Sequence, residues 1–77
     1  MTPEERVKHY IGWHVAAYGA PAPEDEIVGQ LVQRHGMNDT QATYFILEML
    51  QNQEICFVRQ EHSGDGYVLK EHMTEAA

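Results

Sequence analysis

A chain of 77 residues has room for one domain and one modest core, since so short a chain hides only about 60% of its unfolded surface on folding. Its 43% hydrophobic content and freedom from low-complexity tracts argue against wholesale disorder, and its single cysteine, Cys56, excludes both an internal disulfide and a cysteine-based zinc cluster. Twelve acids against five bases give a net charge of −7. That is the opposite sign to the basic stripe on which nucleic-acid binders rely, although the proteins of salt-loving organisms carry the same acidic balance whatever they bind.

The chain begins Met1-Thr2-Pro3-Glu4-Glu5, acidic where a signal peptide would be basic and apolar, and no apolar run approaches the roughly 20 residues that span a bilayer. A soluble, cytoplasmic protein with no membrane partner is the expectation. Thr2 then suits an N-cap, Pro3 the first helical position, and Glu5 completes a capping box. Val7, Tyr10, Ile11, His14, Val15 and Tyr18 recur at helical spacing as one buried stripe, which Gly19 stops. The prolines hold Ala20-Pro21-Ala22 extended, as a short strand or its remnant.

Pro23 opens a second helix, whose first turn holds Glu24, Asp25 and Glu26 where the helix dipole favours negative charge. Its inner face is Ile27, Val28, Leu31, Val32 and His35, and Gly36 ends it. Only Met37 separates Gly36 from the next cap, Asn38, with Gln41 three residues on. Two helices joined by so short a glycine-bearing turn predict a helix-turn-helix. The third helix is predicted over residues 39–52, with Ala42, Phe45, Ile46, Met49 and Leu50 facing the core. The period then changes. Residues 55–60 are β-rich, Ser63-Gly64-Asp65-Gly66 is turn chemistry, and Tyr67-Val68-Leu69-Lys70 forms the second arm of a hairpin. The domain is expected to occupy residues 1–71, leaving 72–77 as a flexible tail.

This order of elements resembles the winged-helix superfamily over nearly the whole chain. The specific stretch is Leu47 and Leu50 in the third helix, the turn Gln51-Asn52-Gln53-Glu54, Ile55, the glycines at 64 and 66, and Tyr67-Val68-Leu69. Glu54 stands where a glycine usually precedes the isoleucine, which leaves the geometry of that turn open. The resemblance implies an α+β fold of three helices followed by a two-stranded wing. It also implies either DNA reading through the third helix or, as in winged helices that have given up DNA, a protein partner.

The residues weigh against DNA. A groove-reading helix needs Lys or Arg for phosphates beside side chains that meet base edges. Between Asn38 and Glu54 the charged residues are Asp39, Glu48 and Glu54, with no base among them. Gln41, Thr43 and Arg59 remain as candidate nucleic-acid contacts. Opposite the core stripe, Thr40, Tyr44, Leu47 and Gln51 fall at i, i+4, i+7 and i+11 and so align as an uncharged row. Either Tyr44 and Leu47 tuck beneath the wing or the first helix, or the row is a partner-binding surface. In the first helix Gly12 and Ala16 lie off the core stripe with Trp13 on its shoulder. They form a candidate self-association face for a homodimer, unless Gly12 is simply a tolerated weak spot.

The remaining chemistry points away from catalysis. His9 and His14 are five apart and point differently, and no thiolate pair or H-E-x-x-H pattern supplies a metal site. His14 reads as a core histidine whose polar atoms are satisfied, and His35 as a complement to its helix dipole. Cys56 and Ser63 have no evident base and orienter. The expectation is a regulatory or adaptor binding module without enzyme activity, metal, cofactor or small-molecule substrate. The alternative is a DNA-binding transcriptional regulator whose acidity reflects its proteome.

Overall fold

Thr2 and Glu5 exchange the two hydrogen bonds of a capping box. The Thr2 backbone N–H donates to Glu5 Oε1 at 2.9 Å and the Glu5 N–H to Thr2 Oγ1 at 3.2 Å. That exchange, led by the Thr2 backbone donor, holds the Glu5 carboxyl below the usual carboxylate range. From this cap α1 runs over Pro3–Tyr18 and ends at Gly19. The computed structural model describes residues 1–59 and 64–71. In it α1 is followed by α2 (Glu24–His35), α3 (Asp39–Gln51), β1 (Ile55–Val58) and β2 (Gly66–Leu69). The strands pair antiparallel, with Ile55 opposite Leu69 and Val58 opposite Gly66. This is an α+β layout of three helices followed by a two-stranded antiparallel hairpin, consistent with a winged-helix arrangement. The expected tail, His62 and the hairpin tip at Ser63 lie outside the described residues.

The short extended piece between α1 and α2 is a strand remnant. Ala22 forms an antiparallel bridge with Tyr67, its N–H donating to the Tyr67 carbonyl at 2.9 Å while the Tyr67 N–H donates to the Ala22 carbonyl at 2.8 Å. The bridge gives β2 a neighbour on each side. The tight connection between α2 and α3 also forms as the residues require: Gly36 takes the left-handed conformation at φ 67°, and Asn38 and Gln41 close a second capping box.

Val7, Ile11, Ala22, Ile27, Leu31, Ala42, Ile46, Met49, Ile55 and Tyr67 make one continuous core drawn from every element. The expected inner faces of α2 and α3 hold, with Val28, Val32, Phe45 and Leu50 half-buried at their margins. One member of the α1 stripe is corrected. Tyr18 is exposed, because it occupies the last turn of α1 and rests on Trp13 and His14 instead of the core.

Two glycine expectations change. Gly64 and Gly66 read alike as hairpin punctuation, yet only Gly64 has a positive φ, 82°. Gly66 belongs to β2, and a Cβ on it would lie 2.6 Å from the Ala22 carbonyl oxygen and 2.9 Å from Pro21 Cβ. It is a packing glycine, forced by the backbone of the strand remnant. The glycine missing before Ile55 is replaced one position earlier by Gln53, which adopts φ 61°. The Gln53 N–H donates to the Leu50 carbonyl at 3.1 Å and the Glu54 N–H to the Met49 carbonyl at 3.0 Å, the Schellman pattern that normally recruits glycine. A side chain in the left-handed region costs about 1–2 kcal/mol. Gln53→Gly should therefore raise the unfolding free energy by roughly 0.5–1 kcal/mol, after the glycine's extra unfolded entropy is subtracted. Urea denaturation checks this, and an unchanged or lower midpoint would contradict it.

Two tyrosine hydroxyls fasten α2 to the elements around it. Tyr67 donates to Glu24 Oε1 at 3.0 Å from β2, and Tyr10 donates to Glu26 from α1. Burial first, then the hydrogen bond to a carboxylate, pushes each hydroxyl up to about 12 from an ordinary 10.0. The unfolded chain thus ionises these groups at a lower pH than the folded one. Their contribution to stability is whole below pH 10 and is lost as pH climbs from 10 towards about 12. Urea midpoints across that window should fall with rising pH, and less steeply for Tyr67→Phe. Equal slopes in the two proteins would contradict the assignment.

Candidate functional site

The outer face of α3 is set by the periodicity that buries its inner face. Ala42, Ile46 and Met49 are fully or almost fully buried, so positions displaced from them around the helix must face outwards. Thr40 and Gln51 are exposed, Tyr44 is 68% exposed and Leu47 is 40% exposed. The hairpin meets α3 through β1 and α1 through β2, which leaves the Tyr44/Leu47 side open. All four residues of the expected row thus share one exposed face, and the alternative in which Tyr44 and Leu47 tuck beneath the wing or α1 is not the arrangement found.

Tyr44 stands as a ridge between two shallow depressions. One is lined by Asp39, Thr43 and Leu47 as well. The other is lined by His35, Met37, Phe45 and Glu48. Asp39 also borders a third depression with Glu24 and Asp25 of α2, so acids of two helices adjoin the row on one side and Glu48 lies on the other. Arg6 reaches the margin from α1, its Nε directed at His35 Nε2 at 3.5 Å.

The three candidate nucleic-acid contacts are each engaged locally. Gln41 Oε1 accepts from the Asn38 N–H at 3.0 Å within the capping box. The Thr43 hydroxyl donates to the Asp39 carbonyl at 2.9 Å, along its own helix. Arg59 faces Asp65 across the hairpin at 3.8 Å, with both side chains exposed. On the first helix, Lys8 reaches Glu54 at 2.9 Å, a pairing whose hydrogen bond and charge raise the ammonium above its ordinary pKa. Lys8 and Arg59 thus each face an acid of the same molecule.

The candidate self-association residues do not share one environment. Gly12 is half-buried, and a Cβ there would meet Leu69 Cδ1 of β2 at 3.7 Å, an ordinary contact. An alanine would make that contact without strain, so the hairpin resting on α1 does not itself require a glycine there. Ala16 is exposed and Trp13 is 50% exposed. Around Trp13 the structure gathers an aromatic group that periodicity did not reveal. Tyr18 stacks edge-on against Trp13 with centroids 5.6 Å apart, and Tyr10 lies 5.7 Å from Trp13. Tyr18 at the turn just before Gly19 was the available signal, since a helix end projecting past the core leaves its last side chains uncovered.

His14 is the one buried polar residue of the core region among the described residues, and it is satisfied as expected. Its Nδ1 pairs with the Ala20 carbonyl at 3.0 Å, so the ring ties α1 to the segment leading into the strand remnant, while Nε2 lies 3.8 Å from Glu26. Among the described residues no three His, Cys, Asp or Glu side chains converge as metal ligands, and no helix is long and apolar enough to cross a membrane. Compared with protein-family models, curated proteins and solved structures, the chain has no match. Its functional reading rests on the chemistry of its own surface.

Proposed function

We propose that this chain is a winged-helix protein that acts as a regulatory or adaptor module, docking a protein partner through the outer face of α3. The observation that carries the reading is the exposed Tyr44/Leu47 pair on a helix that has no lysine or arginine from Asn38 to Glu54. Phosphate contacts supply much of the affinity of any DNA-reading helix, and this one has no cation with which to make them. An exposed aromatic beside a leucine is instead the composition of a protein interface centre, where large apolar anchors carry the binding energy. The local engagement of Gln41, Thr43 and Arg59 also favours this reading over DNA recognition.

A photo-crosslinker placed at position 44 tests it inside the cells that make the protein. The expected adduct is a polypeptide, lost when Leu47→Asp is added. Adducts to nucleic acid, or adducts indifferent to Leu47→Asp, would contradict the reading.

Self-association through α1 is the second part of the proposal, now centred on Trp13 and Ala16. Gly12→Leu is a poor test, because the larger side chain would press on Leu69 of the hairpin. Ala16→Glu adds a charge to an exposed position instead. It is expected to convert a dimer to a monomer in sedimentation equilibrium with the melting curve of the monomer unit preserved. A mass unchanged by the substitution would remove α1 from the interface.

A further inference from the structure

We infer that the partner segment received by α3 is a cationic amphipathic helix, with apolar anchors three or four residues apart flanked by Lys or Arg. The inference deepens the docking function proposed above and rests on it. The row from Thr40 to Gln51 spans 11 residue steps, about 16 Å along the helix axis, which a partner helix of similar length covers. Its relief is a side-chain ridge at Tyr44 with a depression on either side, the surface into which the ridges of a second helix settle. The apolar linings, Leu47 on one side and Met37 with Phe45 on the other, are places for anchor side chains.

The charge around those linings selects the partner. Asp39 lines one depression and Glu48 the other, with Glu24 and Asp25 of α2 continuing the acidic border beyond Asp39, and these four acids outweigh Arg6, whose Nε is directed at His35 on the Glu48 side. An apolar strip with acids on both flanks complements a helix whose apolar strip carries cations on both flanks, and complementary potentials both speed and orient docking. A second copy of this chain docking by the same face fits poorly, since it sets the same acids against each other. Duplex DNA presents phosphates to the same acids and is repelled for the same reason.

The test uses the full chain and two synthetic helical peptides of about 14 residues, long enough for the footprint at 1.5 Å per residue. They share leucines at i, i+3, i+7 and i+10 and differ only in carrying Lys or Glu elsewhere. Amide chemical shifts locate each peptide, and titration gives its affinity. The Lys peptide is expected to perturb residues 39–51 and to bind at least about tenfold more tightly than the Glu peptide. Leu47→Asp should weaken the Lys peptide about tenfold or more, as loss of an interface anchor does. That direction is diagnostic, because the variant adds a negative charge and would strengthen any diffuse attraction. Asp39→Asn with Glu48→Gln should weaken it about twofold to fivefold, in keeping with rim charge pairs. Tyr44→Ala serves as a second anchor variant should Leu47→Asp fail to fold.

A Lys peptide that holds Leu47→Asp as tightly as the parent would overturn the inference in favour of unspecific charge attraction. A Glu peptide seated on residues 39–51 with equal affinity would overturn the cationic partner and leave α3 docking standing. Neither peptide perturbing α3 while a DNA duplex does would overturn the inference and the docking function together.

Discussion

Ile46→Ala is expected to cost about 2–5 kcal/mol, while Leu47→Ala, at the next residue of the same helix, should change stability by less than about 1 kcal/mol. Ile46 is fully buried among Val7, Ile11, Leu31 and Met49, so truncation loses the transfer free energy of three carbons and leaves a cavity that the fixed helices cannot close. Leu47 is 40% exposed, and alanine's higher helix propensity offsets part of what its truncation loses. A domain of this size has roughly 4–12 kcal/mol to lose, so the Ile46 variant approaches the unfolding threshold at physiological temperature. Urea unfolding of both variants measures the contrast. Comparable losses at the two positions would mean that Leu47 packs inside the molecule, and the docking face would be gone.

Gly66→Ala is the second large effect, expected at about 2–3 kcal/mol, or a fall in melting temperature of roughly 10–20 °C. Its cause differs from that of a cavity. The added methyl would sit 2.6 Å from the Ala22 carbonyl oxygen and 2.8 Å from the carbonyl carbon, both backbone atoms that no rotamer change can withdraw. Relief requires parting the strand remnant from β2. That breaks the paired hydrogen bonds of Ala22 and Tyr67 and loosens the Tyr67 hydroxyl from Glu24. Hydrogen exchange at the Ala22 and Tyr67 amides should accelerate more than at the Ile46 amide. Gly64→Ala is the control: it meets only the cost of a positive φ, about 1 kcal/mol, with open space around its Cβ. Equal losses for the two glycines would return both to the role of turn residues.

Both cases mark where local reading of the chain stops. The caps were legible because their signals lie within a few residues: Thr2 with Glu5, Asn38 with Gln41, and the glycines at 19 and 36 that end α1 and α2. Pro21 and Pro23 likewise bracket an extended piece, and the bridge of Ala22 to Tyr67 bears that out. The reason for Gly66 was not legible, since its constraint comes from a backbone 44 positions earlier in the chain. Gln53 carried no signal either, because glutamine has no preference for the left-handed region that the α3 C-terminus imposes on it.

The candidate site was legible in its alignment and not in its exposure. The i, i+4, i+7 and i+11 spacing puts Thr40, Tyr44, Leu47 and Gln51 on one face of any helix. Whether the hairpin covers that face depends on where β1 and β2 land, which is a matter of tertiary packing. Tyr18 is the converse case. It had the spacing of a core residue but sits in the last turn of α1, exposed, where it joins Trp13 on the surface.

The central claim is that α3 is built for a polypeptide and not for a phosphate backbone. Its most direct test is a titration of the full chain against mixed-sequence duplex DNA at about 50 and 200 mM salt, the range over which phosphate contacts reveal themselves as a steep loss of affinity. Fluorescence anisotropy should show no saturable binding at micromolar protein in either condition. Submicromolar binding at the lower salt that falls steeply at the higher would contradict the claim and make α3 a DNA-reading helix.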